Sequence, residues 1–213
     1  MEPTERKPHE IKEFQTNSRL EAFSDGVFAI VITLLVLELT IPELRNHDSK
    51  QELFEALYSI RNKLLSYALC FLFVGQLWIS HSNLFRIVRK TDINLFWLNN
   101  FLLMCVCLFP FVAGIIGDYP RNPGAMMVFG ILYSVTGVAF CAMAIYCSVK
   151  KFLTNALPEE RLKKGSIYMI SMMTLSVIPV FIAEYNPAMA LACYFLLTVG
   201  YIFGQKFFVL KEK

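Results

Sequence analysis

The polar residues that could do chemistry in this sequence are embedded in apolar stretches. Asp25 lies in one such stretch, Trp78 and His81 lie three residues apart in a second, and Asn99 lies in a third. If these stretches cross a membrane, a buried carboxylate, imidazole and amide are costly and normally pair with one another. Two interpretations remain open, a structural tie between helices and a proton relay through Asp25 and His81.

The composition indicates a protein that crosses the membrane several times. Of its 213 residues 56% are hydrophobic and 17% are charged, compared with about 25% charged in soluble domains. The net charge of +3 is spread over short loops, which argues against a nucleic-acid partner. No loop is large enough to form a catalytic domain, and the six cysteines lie in apolar stretches. We therefore expect neither an enzyme nor a protein that binds a metal or another cofactor.

Apolar segments of about 20 residues are long enough to cross a bilayer. Six segments qualify approximately, and Pro179 interrupts the fifth; they cover residues 20–41, 63–85, 94–117, 124–149, 166–183 and 187–209. Fifteen lysine and arginine residues fall on one side and five on the other, which predicts that both termini are cytoplasmic. We predict an all-α membrane protein with a cytoplasmic tail at 1–18, a six-helix domain at 19–213 and an amphipathic helix in the loop at 42–62.

This topology brings the polar residues to one depth in the bilayer. Asp25, His81 and Asn99 each lie near the predicted cytoplasmic end of their helix, and Trp78 shares a helical face with His81. Ser24 precedes Asp25 directly. We therefore predict one cluster, formed by Ser24, Asp25, Trp78, His81 and Asn99.

The first predicted helix has two different faces. At 100° per residue, one apolar stripe is formed by Ile30, Thr33, Leu34, Leu37 and Ile41. Asp25 lies roughly 140° away from Ile30, and Val31 and Val36 also lie off the stripe. An apolar stripe with a single hydroxyl is typical of a packing or lipid-facing surface, although it could also line a pore.

The stretch from Arg19 to Asp25 fits the pattern R-x-x-x-F-S-D, with Phe23 and Ser24 at its fifth and sixth positions. This pattern resembles the signature of the transmembrane protein 175 family of potassium channels. The six spans, the cytoplasmic N-terminus, Trp78-x-x-His81 and an Asn on the third helix extend the resemblance over essentially the whole chain. A single six-helix repeat is similar to the prokaryotic branch of that family.

The resemblance implies a homotetramer in the plasma membrane that conducts K⁺ passively, with the first helix of each subunit lining a fourfold pore. It implies that the motif residues Arg19, Phe23, Ser24 and Asp25 tie that helix to the next two. It places a hydrophobic constriction at Ile30, a hydroxyl at Thr33 and a further pore residue at Leu37. The chain has no TVGYG-like segment, so a filter of carbonyl rings is not expected.

Three points remain open at this stage. Four copies of Glu38 could concentrate cations at the outer mouth, or the carboxylate could snorkel or pair with a loop cation such as Arg45. A proton-coupled transporter is the main alternative function, although transporters often have broken helices and Pro179 is the only break that the sequence predicts within a span. A membrane protein with a purely structural role is the third possibility.

Overall fold

The computed structural model describes residues 8–154, 165, 167–168, 170–171 and 173–209, and its regular structure is almost entirely helical. The main helices are α1 (Pro8–Leu34), α2 (Lys50–Ser59), α3 (Arg61–Ile87), α4 (Ile93–Cys107), α5 (Phe109–Asp118), α6 (Pro123–Val149), α7 (Ile178–Tyr185) and α8 (Pro187–Val209). A short 3₁₀ segment, Leu35–Glu38, continues α1. The described residues between 165 and 175 are also helical.

Five helical segments are long and apolar enough to cross a membrane: Asn17–Glu38, Arg61–Ile87, Ile93–Asp118, Pro123–Val149 and Pro187–Gly204. They coincide with five of the six predicted spans, so the chain is a multi-pass membrane protein. The fifth predicted span, 166–183, lies partly outside the described residues. Its described part contains a shorter apolar helix, Met173–Tyr185.

The first span begins and ends differently from the prediction. α1 starts at Pro8, so part of the predicted tail at 1–18 is helical. The α-helix ends at Leu34, and the chain beyond Glu38 is not helical. The prediction that Ile41 continues a helical stripe is therefore wrong. The sequence does not mark the end of this helix, because apolar residues recur as far as Ile41. The nearest strong helix breaker, Pro42, comes after the point where the helix ends.

The third span is interrupted, which the sequence analysis did not anticipate. α4 ends at Cys107 and α5 begins at Phe109, with Leu108 between them. Pro110 lies in the first turn of α5. Proline has no backbone N–H and its ring crowds the preceding turn, which explains a local break in the hydrogen-bond ladder here. Pro179 is thus not the only break within a predicted span.

The core surrounds α3 and is rich in aromatic residues. The ring of Phe73 on α3 lies 3.9 Å from that of Tyr133 and 4.9 Å from that of Phe109, measured between centroids. The Tyr194 ring packs edge-on against Phe129 at 5.0 Å. Gly130 makes this approach possible, because a Cβ there would collide with the Tyr194 hydroxyl. These contacts join α3, α5, α6 and α8 into one bundle.

The loop between the first two spans contains the predicted amphipathic helix. α2 begins after Ser49, whose hydroxyl accepts a hydrogen bond from the Glu52 backbone N–H at 3.2 Å. The Glu52 carboxylate in turn accepts the backbone N–H groups of Arg45 and Asn46. At the same end of the bundle, Lys63 forms an ion pair with Asp118 at 2.8 Å. The loop is therefore ordered by local capping.

Two connections meet at the opposite end of the bundle. Val88 and Leu153 form an isolated antiparallel bridge between the α3–α4 connection and the chain after α6. The backbone N–H of Arg89 donates to the Phe152 carbonyl, and that of Thr154 donates to the Ile87 carbonyl, each at 2.8 Å. The Asn17 side chain on α1 donates to the Val88 carbonyl at 2.8 Å. We call this set of contacts the clasp.

Candidate functional site

One side of α1 packs into the bundle and is called the buried face. It is formed by Leu20, Ser24, Phe28, Val31 and Leu35, at intervals of three or four residues. That spacing places them on one side of a helix, where they meet α3 and α4. Four of the five are apolar, and Ser24 is fully buried among them. The position of α1 therefore depends on apolar packing together with the partner of one buried hydroxyl.

The partner of Ser24 belongs to a directed chain of hydrogen bonds between three helices. His81 on α3 and Asn99 on α4 are 2.8 Å apart, Nε2 to Oδ1. Asn99 Nδ2 donates to the Ser24 hydroxyl at 2.9 Å, and that hydroxyl donates to the Leu20 carbonyl at 2.9 Å. Since Asn99 Oδ1 can only accept, the His81 proton lies on Nε2.

The imidazole of His81 is enclosed by aromatic rings. It stacks on Phe85 at 4.4 Å and lies 5.5 Å from Phe28, between ring centroids. Its Nδ1 atom is buried without a hydrogen-bond partner among the described residues. A second proton on this ring would need an acceptor that none of those residues supplies. The geometry therefore fits a neutral imidazole.

Asp25 is engaged separately from this chain. Trp78 Nε1 donates to Asp25 Oδ1 at 2.8 Å, and Trp78 is 41% exposed. Within the described part of the chain no hydrogen bond joins Asp25 to His81. The predicted cluster thus consists of two neighbouring ties, one through Asp25 and one through Ser24, rather than a single network.

The other two residues of the motif lie elsewhere. Arg19 and Phe23 are exposed, Phe23 to 54%, on the side of α1 that faces away from the buried face. They line a wide cavity at the start of α4, together with Leu20, Thr91, Asp92, Ile93 and Phe96. The expectation that Arg19 and Phe23 belong to the polar cluster is not met within one subunit.

The residues of the predicted stripe on α1 and the 3₁₀ segment are exposed in the subunit. We call Ile30, Thr33, Leu34 and Leu37 the exposed stripe. Ile30 is 59% exposed and Leu37 is 67% exposed. The Thr33 hydroxyl donates to the Ile30 carbonyl at 2.7 Å, so its only hydrogen is used and its oxygen remains an acceptor. The exposed stripe of each subunit thus presents one hydroxyl oxygen, as an acceptor, within an apolar surface.

The two residues predicted to lie off the stripe behave differently. Val31 is buried and only 2% exposed, whereas Val36 is 48% exposed. Val36 lies in the 3₁₀ turn formed by residues 35–38, and its place relative to the stripe stays a prediction. With three residues per turn instead of 3.6, each position in that turn is rotated further around the axis than in an α-helix.

Glu38 turns towards its own subunit. Its carboxylate lies against Gly114 of α5, where a Cβ would collide with Glu38 Oε2. Glu38 is of intermediate exposure, unlike the neighbouring Leu37. The side chain therefore packs on α5 instead of continuing along the exposed stripe.

A third polar pair, at Asp92, was missed by the sequence analysis. Asp92 caps α4 by accepting the Leu95 backbone N–H at 2.8 Å, and it accepts the Tyr146 hydroxyl at 2.6 Å. Burial acts to raise the pKa of Asp92, but these hydrogen bonds and the nearby Lys150 charge outweigh it, so the pKa is lowered. The signal in the sequence was an Asp directly before an apolar run, which is a typical N-cap.

The fold and these contacts define a helical, multi-pass membrane protein whose first span is fixed on one side and exposed on the other. A family model described as the endosomal/lysosomal potassium channel TMEM175 matches residues 19–110. That segment includes the R-x-x-x-F-S-D pattern, Trp78, His81 and Asn99. The predicted resemblance to the TMEM175 family is therefore confirmed over this part of the chain.

Individual relatives agree with the family match. A protein named as a potassium channel from Streptomyces collinus is 37% identical over 123 residues, covering 58% of each chain. Another from Chamaesiphon minutus is 36% identical over 136 residues, covering 64% of each. The matched segment thus spans about three fifths of these relatives' length.

The fold comparison extends further than the sequence comparison. A crystal structure of a lysosomal potassium-selective channel TMEM175 homolog from Chamaesiphon minutus superposes with a TM-score of 0.79. It covers 89% of this chain and 97% of that one at 24% sequence identity. The two proteins therefore share a fold along nearly their whole length, including the helices beyond residue 110.

Proposed function

We propose that the protein is a passive potassium channel of the cell membrane. The observation that carries this proposal is the exposed stripe, an apolar surface with one hydroxyl on a helix whose other side is fixed by buried contacts. The bacterial relatives named as potassium channels, and the shared fold with a potassium-selective channel, support it. In this proposal the exposed stripes of several subunits face one another across a central pathway for K⁺.

The proposed assembly is a homotetramer with six membrane helices per subunit and both termini in the cytoplasm. A subunit alone encloses no pathway along the exposed stripe, because the stripe lies on its outer surface. A closed ring of identical subunits with α1 innermost converts four such stripes into one pore wall. The excess of lysine and arginine at the cytoplasmic loops supports the orientation.

The proposed pathway combines a hydrophobic constriction with a ring of hydroxyl oxygens. Four Ile30 side chains at one level would exclude water and limit conduction by dewetting. Four Thr33 oxygens, each with its hydrogen already donated to Ile30, would offer lone pairs that replace part of the hydration shell of K⁺. Because these hydroxyl oxygens carry no net charge, their electrostatic field at the ion is weak, so we expect a modest preference for K⁺ over Na⁺.

In this proposal the buried contacts of α1 position the helix and do not conduct. Ser24, Asn99 and His81 form one tie and Asp25 and Trp78 form the other, both on sides of α1 that contact its own subunit. Asp25→Asn keeps an acceptor for Trp78 and is expected to lower the yield of assembled protein more than it changes the K⁺-to-Na⁺ ratio. A sharp change in that ratio, with normal assembly, would mean that Asp25 lies on the pathway.

One observation favours a proton-coupled cation transporter as a second candidate. The break at Leu108 interrupts the third span, and broken helices are common at transporter binding sites. Against it, the hydrogen bonds of Asp25 and His81 do not form a continuous relay among the described residues.

Purified protein reconstituted into liposomes distinguishes these candidates. In vesicles without an added K⁺ ionophore, a K⁺ gradient should produce a current that grows linearly with driving force and does not require a pH gradient. Saturating flux that needs a proton gradient would identify the transporter. Absence of flux from tetrameric protein would contradict both and leave the structural role.

A further inference from the structure

A second set of polar side chains lies on the face of α3 that is turned towards α6 and α8. Gln76 and Ser80 are four residues apart on this face, near the middle of α3. Tyr133 and Thr198 approach them from α6 and α8, and Tyr201 lies next to Ser80, with their hydroxyl oxygens 3.3 Å apart. The proposed conduction pathway does not use any of these groups.

A cavity of about 50 Å³ lies among these side chains. The polar side chains on its walls come from α3, α6 and α8 and are Gln76, Ser80, Tyr133 and Tyr201. The rest of its lining is mainly apolar and includes Gly137 and Met173. By volume it has room for about three to five water molecules, at roughly 10–15 Å³ for each. An apolar void of this size would stay dry, but this one has hydrogen-bonding groups on several sides.

One buried atom at this place, Gln76 Oε1, lacks a hydrogen-bond partner in the described part of the chain. The Gln76 side chain is only 6% exposed. An unpaired polar atom inside a bilayer is costly, because lipid offers no alternative partner. Gln76 lines the cavity directly, which places an orphaned acceptor at its wall.

We propose that this cavity is a binding site for a small cluster of water molecules within each subunit. A water molecule there donates to Gln76 Oε1 and accepts from the Tyr133 hydroxyl. The Tyr201 hydrogen is already donated to Ser80, whose own hydrogen goes to the Gln76 backbone carbonyl. The bound water thereby joins α3 to α6 near the centre of the bundle. The site is independent of the proposed function, since it lies on the side of α3 away from α1.

X-ray radiolytic footprinting of the full-length protein in lipid nanodiscs tests this proposal, because bound water yields hydroxyl radicals at the site. Tyr133 lines the cavity, whereas Tyr194 is fully buried nearby and donates to the Ser176 carbonyl. We expect Tyr133 to be oxidised several-fold faster than Tyr194. Equal rates would overturn the proposal.

Two variants separate bound water from bulk solvent. Gln76→Leu removes the orphaned acceptor, and Gly137→Ala adds a methyl group that makes only ordinary contact with Met173, 3.4 Å away. Each should lower the oxidation rate of Tyr133 at least twofold while leaving that of Tyr194 unchanged. Gly137→Ala keeps the test valid if Gln76→Leu does not fold. A Tyr133 rate that is unchanged in Gly137→Ala would show that radicals arrive from outside, and the proposal would be wrong.

Discussion

The two faces of α1 consist of similar apolar residues in opposite surroundings. Adjacent residues show the contrast, since Val31 is 2% exposed and Ile30 is 59% exposed. On the buried face the single polar residue, Ser24, is held by Asn99. On the exposed stripe the single polar residue, Thr33, bonds only to its own helix at Ile30. Polar groups that bridge helices therefore fix α1, whereas polar groups satisfied within α1 leave the opposite surface available.

The largest effect is expected from adding a polar group to the exposed stripe. Ile30→Asn would wet the proposed constriction in every subunit, and lowering a dewetting barrier by only 1.4 kcal/mol raises current about tenfold. We expect currents larger by about that factor and weaker discrimination between K⁺ and Na⁺. Reversal potentials under bi-ionic conditions in planar bilayers measure both.

Ile131→Asn is the matched control for this variant, because Ile131 is 56% exposed on α6. It places the same side chain on a surface that the proposal does not assign to the pathway. If Ile131→Asn changed the current as much as Ile30→Asn, the faces of α1 would not differ in the way described.

Removing the bridge to the buried face should destabilise the protein without changing ion preference. Asn99→Leu leaves His81 Nε2 without its acceptor, at a cost of about 1–3 kcal/mol. It also removes the donor to Ser24, whose hydroxyl keeps its bond to the Leu20 carbonyl. We expect a lower unfolding temperature and a lower yield of tetramer in size-exclusion chromatography. Asn100→Leu makes the same change one residue away, at a side chain that forms no hydrogen bond with the described residues, and should have a much smaller effect. Equal losses would show that the amide bridge contributes nothing particular.

A smaller effect is expected from the hydroxyl of the exposed stripe. Thr33→Ala removes the proposed oxygen ring but keeps the apolar wall, so current should persist. Losing about 0.5–1 kcal/mol of preferential K⁺ interaction would reduce the K⁺-to-Na⁺ permeability ratio roughly two- to fivefold. Thr174 is likewise exposed and bonds to the carbonyl four residues earlier in its helix, so Thr174→Ala is the control. An unchanged ratio in Thr33→Ala would remove Thr33 from the pathway.

The smallest effect concerns Asp92, the N-cap residue of α4. Because the pKa of Asp92 is lowered in the folded state, its stabilising contribution is complete above the ordinary pKa of an aspartate and is lost as pH falls through the lowered value. Asp92→Asn keeps a capping side chain but removes the charge. The difference in unfolding temperature between the two proteins should be present at pH 7 and should shrink progressively as the pH falls below about 4. A difference that grows on acidification would contradict this assignment.

Much of this organisation could be predicted because it depends on patterns along the chain. Helical periodicity separated Ile30 and Thr33 from Asp25, and span order brought Asp25, His81 and Asn99 to one level. The ends of α1 could not be predicted, since apolar composition continues past Leu34 while the hydrogen-bond pattern changes to 3₁₀ there. That change removed Ile41 from the stripe.

The remaining differences between the sequence-based prediction and the structure arise from contacts between segments that are distant in sequence. Glu38 packs on Gly114, and Tyr146 donates a hydrogen bond to Asp92. The residues of each pair are too far apart in sequence for a local sequence pattern to predict their contact. The orphaned Gln76 acceptor becomes visible only when α3, α6 and α8 are seen around one cavity. Within the third span, Pro110 could have indicated the break at Leu108, but the continuous apolar run concealed it.

The clasp restricts how α1 can move. Near one end of the span the Asn17 side chain is bonded to the Val88 carbonyl, and Val88 is itself bridged to Leu153. Near the other end Glu38 is seated on Gly114. A helix pinned at both ends cannot spin about its long axis without breaking both attachments, so it has lost that degree of freedom. Rotation of α1 within its own subunit is therefore not expected to widen the proposed pathway, and α1 should move together with the bundle to which it is attached.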